Sequence, residues 1–432
     1  MSILFKNTKI ITKEKGSLVC LDNAYLVVKG DTITYIGKER QEGCDEEKDM
    51  SNHILLPGFV NDHTHTAMVL MRGLGSGLPL QKWLERMWAI EDKMKEEDIR
   101  VGMELALLEM IRGGTTSFSD MYLLPFSVVD IIGESCIKAN IAKCLTCFNP
   151  DQDYKTFKEA LDSKRLFDEY SNSYDERLKI DFSIHAEYTI NENIVRHYSD
   201  EALKRGARIS LHLSETAKET RECILKYGKT PAKWFADLGV FNNRVVAAHC
   251  VHLTDDDISI LKNNNVTVAH NPTSNLKLGS GVAPVPRLIK EGVNVSLGTD
   301  GAASNNNLNM MEEMHIASII HNGVEENPTA LQSSDAILMA TENGAISQGR
   351  FNTGVLEVGK RADIIALSLS SPHSHPVLDP IALVTYALEE SDVTLNMVDG
   401  KILYEDGEYK TLDKERIYRD VEKRVAYLYS NN

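Results

Sequence analysis

Hydrophobic and polar positions along the 432-residue chain change texture twice. Residues 1–56 carry short alternating segments at 3–5, 17–21, 24–29 and 32–36, broken by Lys-Gly and Gly-Asp turns, and this pattern predicts β structure. The same texture returns after about residue 355, with strand-like runs at 362–367, 393–398 and 400–404 and hairpin-type turns at Asp399-Gly400 and Asp406-Gly407. Ile417, Val421, Val425 and Leu428 recur at helical spacing and predict a last helix over 413–429. The two ends are expected to form one small β-sandwich domain from residues 1–56 and 356–432, with the terminal helix in its second part.

Between the ends, strand-like runs alternate with helical stretches at 54–61, 115–121, 141–148, 178–184, 208–213, 245–249, 266–270 and 293–298. Eight such runs predict a (β/α)8 TIM-type barrel over residues 57–355. One intervening helix is sharply marked at 97–111, where Ile99, Met103, Ala106, Leu107 and Met110 share a face and Gly113-Gly114 stops it. Such barrels carry their reactive groups at the carboxyl ends of the strands.

Composition adds boundaries. Apolar residues at 42% and charged residues at 25% suit a globular chain with a large core. The net charge of −16, with Lys and Arg scattered, argues against a nucleic-acid partner and reads most simply as solubility. Seven cysteines, an odd number, suit free thiols in a reducing compartment. No run has the length of a signal peptide or membrane span, so a cytoplasmic protein without a membrane partner is expected.

The chemistry gathers at the ends of the predicted barrel strands. His63 and His65 close the first run, and strand alternation turns residues two apart toward one face, where both imidazoles can grip one ion. His212, His249 and Asp300 end later runs, and the set reads as a zinc-type site with an open position for an activated water. A lone histidine after an apolar run is more often a core residue, and an aspartate at a turn is commonplace; their shared placement is what shifts the balance. Glu215 must sit on the loop beyond His212, where a carboxylate can pass protons between water and substrate. His373-Ser374-His375 is a second His-x-His, but flanking Pro372 and Pro376 make it a surface loop. Cys144 and Cys147 have zinc-clip spacing without further partners and read as core thiols within a barrel strand.

Five segments taken together resemble the amidohydrolase superfamily, and within it the 5'-methylthioadenosine/S-adenosylhomocysteine deaminases: 57–65 (PGFVNDHTH), 212–216 (HLSET), 248–253 (AHCVHL), 270–278 (HNPTSNLKL) and 298–306 (GTDGAASNN). The likeness spans about residues 1–430. It implies one divalent ion per chain, Zn2+ with Fe2+ or Mn2+ as alternatives, bound by His63, His65, His212 and Asp300. It implies catalytic roles for Glu215, His249 and Asp300, and a nucleoside pocket contacted by Trp83, Glu91, His185, Glu215, Asp300 and Ser304. Relatives with two metals use a carboxylated lysine; Lys143 and Lys179 are placed near strand beginnings, so one metal is expected.

The implied reaction is hydrolytic deamination of adenine nucleosides modified at the 5' position, namely 5'-methylthioadenosine, S-adenosylhomocysteine, 5'-deoxyadenosine or adenosine. A metal-activated water would attack the amine-bearing carbon while Glu215 protonates the adjacent ring nitrogen and Asp300 passes a proton to the leaving amine. The alternative is a deaminase or chlorohydrolase acting on another heteroaromatic of guanine, cytosine or triazine type. A scaffold that kept the barrel and lost the chemistry would show a broken ligand set, and this set is complete. Members that accept S-adenosylhomocysteine place an arginine after strand 3; here Cys147 stands near that position and Lys155 is the nearest cation, which favours neutral-tailed substrates. The partner is a small nucleoside, and a homo-oligomer is left open.

Overall fold

In the computed structural model, which describes residues 1–430, nine strands from the two chain ends form one hydrogen-bonded sheet and eight form a second. The first sheet begins with β1 (Ser2–Glu14), β2 (Ser17–Lys29), β3 (Thr32–Gly37), β4 (Glu46–Asp49) and β5 (His53–Pro57). The second is a barrel of parallel neighbours in chain order: β6 (Phe59–Thr64), β7 (Thr115–Tyr122), β8 (Lys138–Leu145), β9 (Leu178–Ile184), β10 (Arg208–Leu213), β11 (Arg244–His249), β12 (Thr267–His270) and β13 (Val295–Leu297). β14 (Ile364–Ser368), β15 (Val393–Val398), β16 (Lys401–Glu405) and β17 (Glu408–Tyr409) complete the first sheet.

Pro57 and Gly58 divide the first predicted barrel run between the two sheets. Pro57 has no N–H to donate, and β5 ends there, paired antiparallel with β14 and parallel with β1. A Cβ on Gly58 would lie 2.1 Å from Thr116 Cγ2, so only glycine lets the chain pass β7 here and start β6. The predicted segments 17–21 and 24–29 are one strand, because Asn23 at φ +47° and register shifts on β1 absorb the irregularity as a bulge. β4 has the sequence EEKD, without apolar alternation, and hydrophobic patterning misses it. β8 starts earlier than predicted because Lys138 is buried in ion pairs with Asp363 (2.6 Å) and Asp399 (2.7 Å). It also ends at Leu145, so Cys147 lies beyond the strand rather than within it.

The helix Glu96–Arg112 follows its predicted apolar face. The terminal helix Lys414–Tyr429 is capped at its start by the Asp413 carboxylate, which accepts the Arg416 N–H at 2.9 Å. It lies against Glu96–Arg112 through Arg416 to Glu104 (2.9 Å) and Arg424 to Asp98 (2.6 Å). Among the described residues no helix is long and apolar enough to cross a membrane.

The floor of the barrel is ionic. Arg208 on β10 donates to Asp62 on β6 (2.9 Å) and Asp181 on β9 (2.6 Å), all buried. Asp62 immediately precedes His63, and Arg208 lies four residues before His212, so this network ties β6 and β10, which bear these histidines, to β9. Side chains and loop backbone close the gap between β13 and β6: Asp300 N donates to His63 O (2.9 Å) and Thr299 N to Asn61 Oδ1 (3.0 Å). Gly298 makes the closure fit, since a Cβ there would lie 2.5 Å from Asn271 Oδ1 and 2.8 Å from His63 O. Gly298→Ala is therefore expected to cost about 1–3 kcal/mol through overpacking, read as a lower denaturant midpoint, with activity falling alongside; unchanged stability and turnover would contradict this role.

Candidate metal centre and active site

The carboxyl ends of β6, β10, β11 and β13 bring the predicted groups together. His63 lies at the end of β6, His65 just past it, His212 near the end of β10, His249 at the end of β11, and Asp300 three residues past β13. Ring centroids are 4.9 Å apart for His63 and His65, 5.0 Å for His63 and His212, and 5.4 Å for His65 and His212. Asp300 Oδ1 lies 3.2 Å from His65 Nε2 and 3.5 Å from His63 Nε2. Donor atoms of His63, His65 and His212 fall within 4.8 Å of one another, as do those of His63, His249 and Asp300.

Local backbone geometry aims these side chains. Ser214, His249, Cys250 and Asp300 have φ of +49°, +72°, +51° and +60°, a region non-glycine residues avoid at a cost on the order of 1–3 kcal/mol each. The surrounding bonds hold them there: Thr64 Oγ1 donates to the Asp300 carbonyl (3.0 Å), and Ser274 and Ser304 hydroxyls donate to Asp300 Oδ2 (2.6 and 2.7 Å). Oδ1 is left facing the histidines.

The nitrogen tautomers fit a cation. His65 Nδ1 bonds to the Met121 carbonyl and His212 Nδ1 to the His185 carbonyl (2.9 Å); a carbonyl only accepts, so both Nδ1 atoms carry hydrogen. Their Nε2 atoms face each other at 3.3 Å, the His65 nitrogen also lying 3.2 Å from Asp300 Oδ1, and His63 Nε2 is buried without a hydrogen-bond partner. Three converging imidazole nitrogens and a carboxylate hold a positive charge between them, a proton on His65 where no ion is bound, and the donor set of three imidazoles and one carboxylate suits a zinc-type ion. Burial holds His63 down at about 4 and His212 well below the ordinary imidazole value. Burial also opposes charge on His65, but the Asp300 carboxylate outweighs it and carries His65 up to about 9.

Two more groups flank this cluster. Burial raises Glu215 above the ordinary carboxyl value, against the pull of His249, and Ser280 Oγ donates to its Oε1 at 3.2 Å. His249 Nδ1 pairs with Asn275 Oδ1 (2.8 Å), which turns Nε2 toward Glu215 Oε2 at 3.8 Å. Asn275 lies in the HNPTSN segment of the sequence, which gave it no role of its own.

A cavity of about 340 Å³ opens from this cluster to the surface. His65, His185, His212, Glu215, His249 and Asp300 line its inner end, and Trp83, Met87 and Glu91 its wall. Tyr122 donates to Glu91 Oε1 at 2.6 Å. The mouth is apolar: Leu123, Phe148 and Tyr188 are 44%, 67% and 39% exposed, and Trp88 packs edge-on against Phe148 at 5.9 Å. Sequence reasoning gave these mouth residues no role: Phe148 reads as the end of the run 141–148, whereas the strand stops at Leu145, and Leu123 and Tyr188 lie outside strands and carry no periodic signal.

Some expectations fall elsewhere. Ser304 does not line the cavity; its hydroxyl is spent on Asp300. Lys155 is exposed on the turn Tyr154–Thr156, away from the cavity wall, and no Lys or Arg lines it. Cys144 lines the cavity instead of the core, while Cys147 is buried in the core as expected, its Sγ donating to the Asn149 carbonyl (3.5 Å). Lys143 lies near the end of β8, not its beginning, but its amine reaches the Leu124 carbonyl (3.4 Å) and does not line the cavity. Lys179, at the start of β9, donates to the Gly349 carbonyl at 2.8 Å. His373 sits in the turn Pro372–Ser374 and pairs with Asp392 (2.8 Å).

A parallel barrel with histidine and carboxylate donors at its carboxyl rim defines a class of metal-centred hydrolases. The model of the Amidohydrolase family matches residues 54–403, and the chain belongs to that family. It is 40% identical to a 5-methylthioadenosine/S-adenosylhomocysteine deaminase of Caldanaerobacter subterraneus subsp. tengcongensis, over 99% of this chain and 99% of that protein. It is 38% identical to a 5'-deoxyadenosine deaminase of Methanosarcina acetivorans, over 97% of this chain and 96% of that protein. Among solved structures, an adenosine deaminase from Xanthomonas campestris with bound zinc superposes with a TM-score of 0.94 at 28% identity, covering 99% of this chain and 98% of that one.

Proposed function

We propose that the protein hydrolytically deaminates adenine nucleosides modified at the 5' position to the inosine analogue and ammonia, using one divalent ion, Zn2+ in the first instance, held by His63, His65, His212 and Asp300. The observation that carries this reading is the polarity of the cavity: metal donors and two proton-handling groups lie at its closed end, and an apolar mouth at the other. Its volume of about 340 Å³ suits a small-molecule site, and the names of the relatives support an adenine nucleoside as its occupant.

A bound divalent ion supplies Lewis-acid activation of water. The chain's own groups do the rest. Glu215, its carboxyl raised by burial, gives a proton to the ring nitrogen beside the amine-bearing carbon and is restored by one proton of the attacking water. His249 Nε2, oriented by Asn275, holds the incoming oxygen. Asp300 Oδ1 takes a proton from that oxygen and carries it to the departing amine, so that ammonia leaves. Trp83 and His185 enclose the purine, and Glu91, with Oε1 taken by Tyr122, offers Oε2 to a sugar hydroxyl. The test is ammonia release by metal-replete protein from a panel of adenosine analogues, guanine, cytosine and an aminotriazine. Turnover confined to the adenine nucleosides is expected; a faster reaction with another heteroaromatic would overturn the reading.

Within that class, neutral tails are favoured. A charged 5' tail emerging past Leu123, Phe148 and Tyr188 meets no guanidinium fork. 5'-Methylthioadenosine or 5'-deoxyadenosine should exceed S-adenosylhomocysteine in kcat/KM, on the order of tenfold, and Lys155→Ala should change neither. S-adenosylhomocysteine as the better substrate, with that preference lost in Lys155→Ala, would show that the lysine serves as the carboxylate clamp.

A further inference from the structure

Behind Glu215 lie two buried carboxyl groups with no cation between them. Glu187, 1% exposed, follows β9 in the turn Glu187–Thr189, on the segment that also carries the cavity residues His185 and Tyr188. Glu219, 5% exposed, is in the first turn of the helix Ala217–Tyr227. Its Oε2 accepts the backbone N–H groups of Glu215 (2.9 Å) and Thr216 (3.2 Å), fixing the backbone from which the Glu215 side chain springs. Glu219 Oε1 and both oxygens of Glu187 are buried and have no donor. The turn Glu187–Thr189 packs against the helix Ala217–Tyr227, which sets the two buried carboxyl groups beside each other.

Two ionised carboxylates cannot share such a place, since each charge is desolvated and repels the other. We propose that Glu187 and Glu219 share a single proton, and that this O–H···O bridge clamps the segment of His185 and Tyr188 to the helix start that holds Glu215, making both glutamates positioning residues for that carboxyl. The inference rests on the proposed function only for the role of Glu215.

The surroundings favour one proton. Around the pair are Glu215 from the β10 loop, Tyr188 from the turn, Cys223 and Lys226 from the helix Ala217–Tyr227, and Cys250 after β11, with Asp257 beyond the two cysteines. Lys226 is the cation among them, and it forms no ion pair with either carboxyl among the described residues. Burial first, and Glu215 next, push Glu219 up to about 7; burial and Glu219 push Glu187 well above the usual carboxyl value. The folded chain thus keeps a proton that the unfolded chain releases near 4.5, so the clamp is intact at acid pH and weakens as pH rises through about 7 and beyond.

Glu187→Gln supplies a permanent amide donor to the Glu219 carboxylate, and Glu187→Ala supplies none. The glutamine variant should keep kcat near wild type while the alkaline limb of its pH profile moves upward. The alanine variant should lose on the order of 10²-fold in kcat, more than KM rises, with bound metal retained. Infrared difference spectra of wild type against Glu187→Gln at pH 6 should show a protonated-carboxyl C=O stretch in the wild type alone, and this signal needs no turnover. Absence of that band, or an alanine variant with wild-type kcat and pH profile, overturns the proposal. The band present without ammonia release from any adenosine analogue would overturn the proposed function and leave the pair standing.

Discussion

Replacing His63 or His212 by alanine is expected to abolish bound metal and ammonia release together. Each supplies an Nε2 aimed at the shared centre, His63 with no other partner and His212 with its Nδ1 already committed to the His185 carbonyl. Changes to groups behind metal ligands cost about 10–100-fold in metal affinity, and deleting a ligand removes the bond itself. The check is elemental analysis alongside turnover in the same preparation, with thermal melting to establish that the barrel is intact. A folded variant that keeps its full metal content, or loses metal and still turns over, would remove that histidine from the site.

Glu215→Gln is expected to separate the two properties that the histidine variants lose together. Glutamine keeps the size and can still accept from Ser280, but it has no proton to relay. Metal content should be unchanged and kcat should fall on the order of 10²–10⁴-fold. The pH dependence follows with a definite sign. Burial raises Glu215, so the wild type declines as pH rises through the titration of this carboxyl; the residual activity of the variant should lose that part of the decline and keep only the part set by the Glu187 and Glu219 pair. Near wild-type turnover would take Glu215 out of the chemistry.

What the sequence made legible follows from how each feature is encoded. The barrel was readable because each of its strands is buried and its apolar run stops at a polar end, so that His63, His212, His249 and Asp300 each mark a strand terminus. Their convergence was not readable from spacing, since it depends on closure between β13 and β6, which Gly298 and the Asn61–Thr299 bonds permit. Strand starts with buried charge were hidden as well: Lys138 looks like a turn residue until Asp363 and Asp399 are placed beside it. Trp83 and Glu91 entered through family resemblance alone, and the structure puts both on the cavity wall by way of the helix Leu80–Glu91. Ser304 illustrates the opposite case, a residue expected at the substrate that supports Asp300 from behind. The Glu187 and Glu219 pair had no signature, because two glutamates in separate loops meet only through the fold.

The central claim, a single-ion site that deaminates adenine nucleosides, is tested most directly by titrating metal-free protein with Zn2+ while following both bound ion and ammonia release from 5'-methylthioadenosine. The donor set predicts activity rising in proportion to bound ion and reaching its plateau at one ion per chain, with the inosine analogue formed in step with ammonia. A plateau reached only at two ions, or full deamination by protein that holds none, would contradict it.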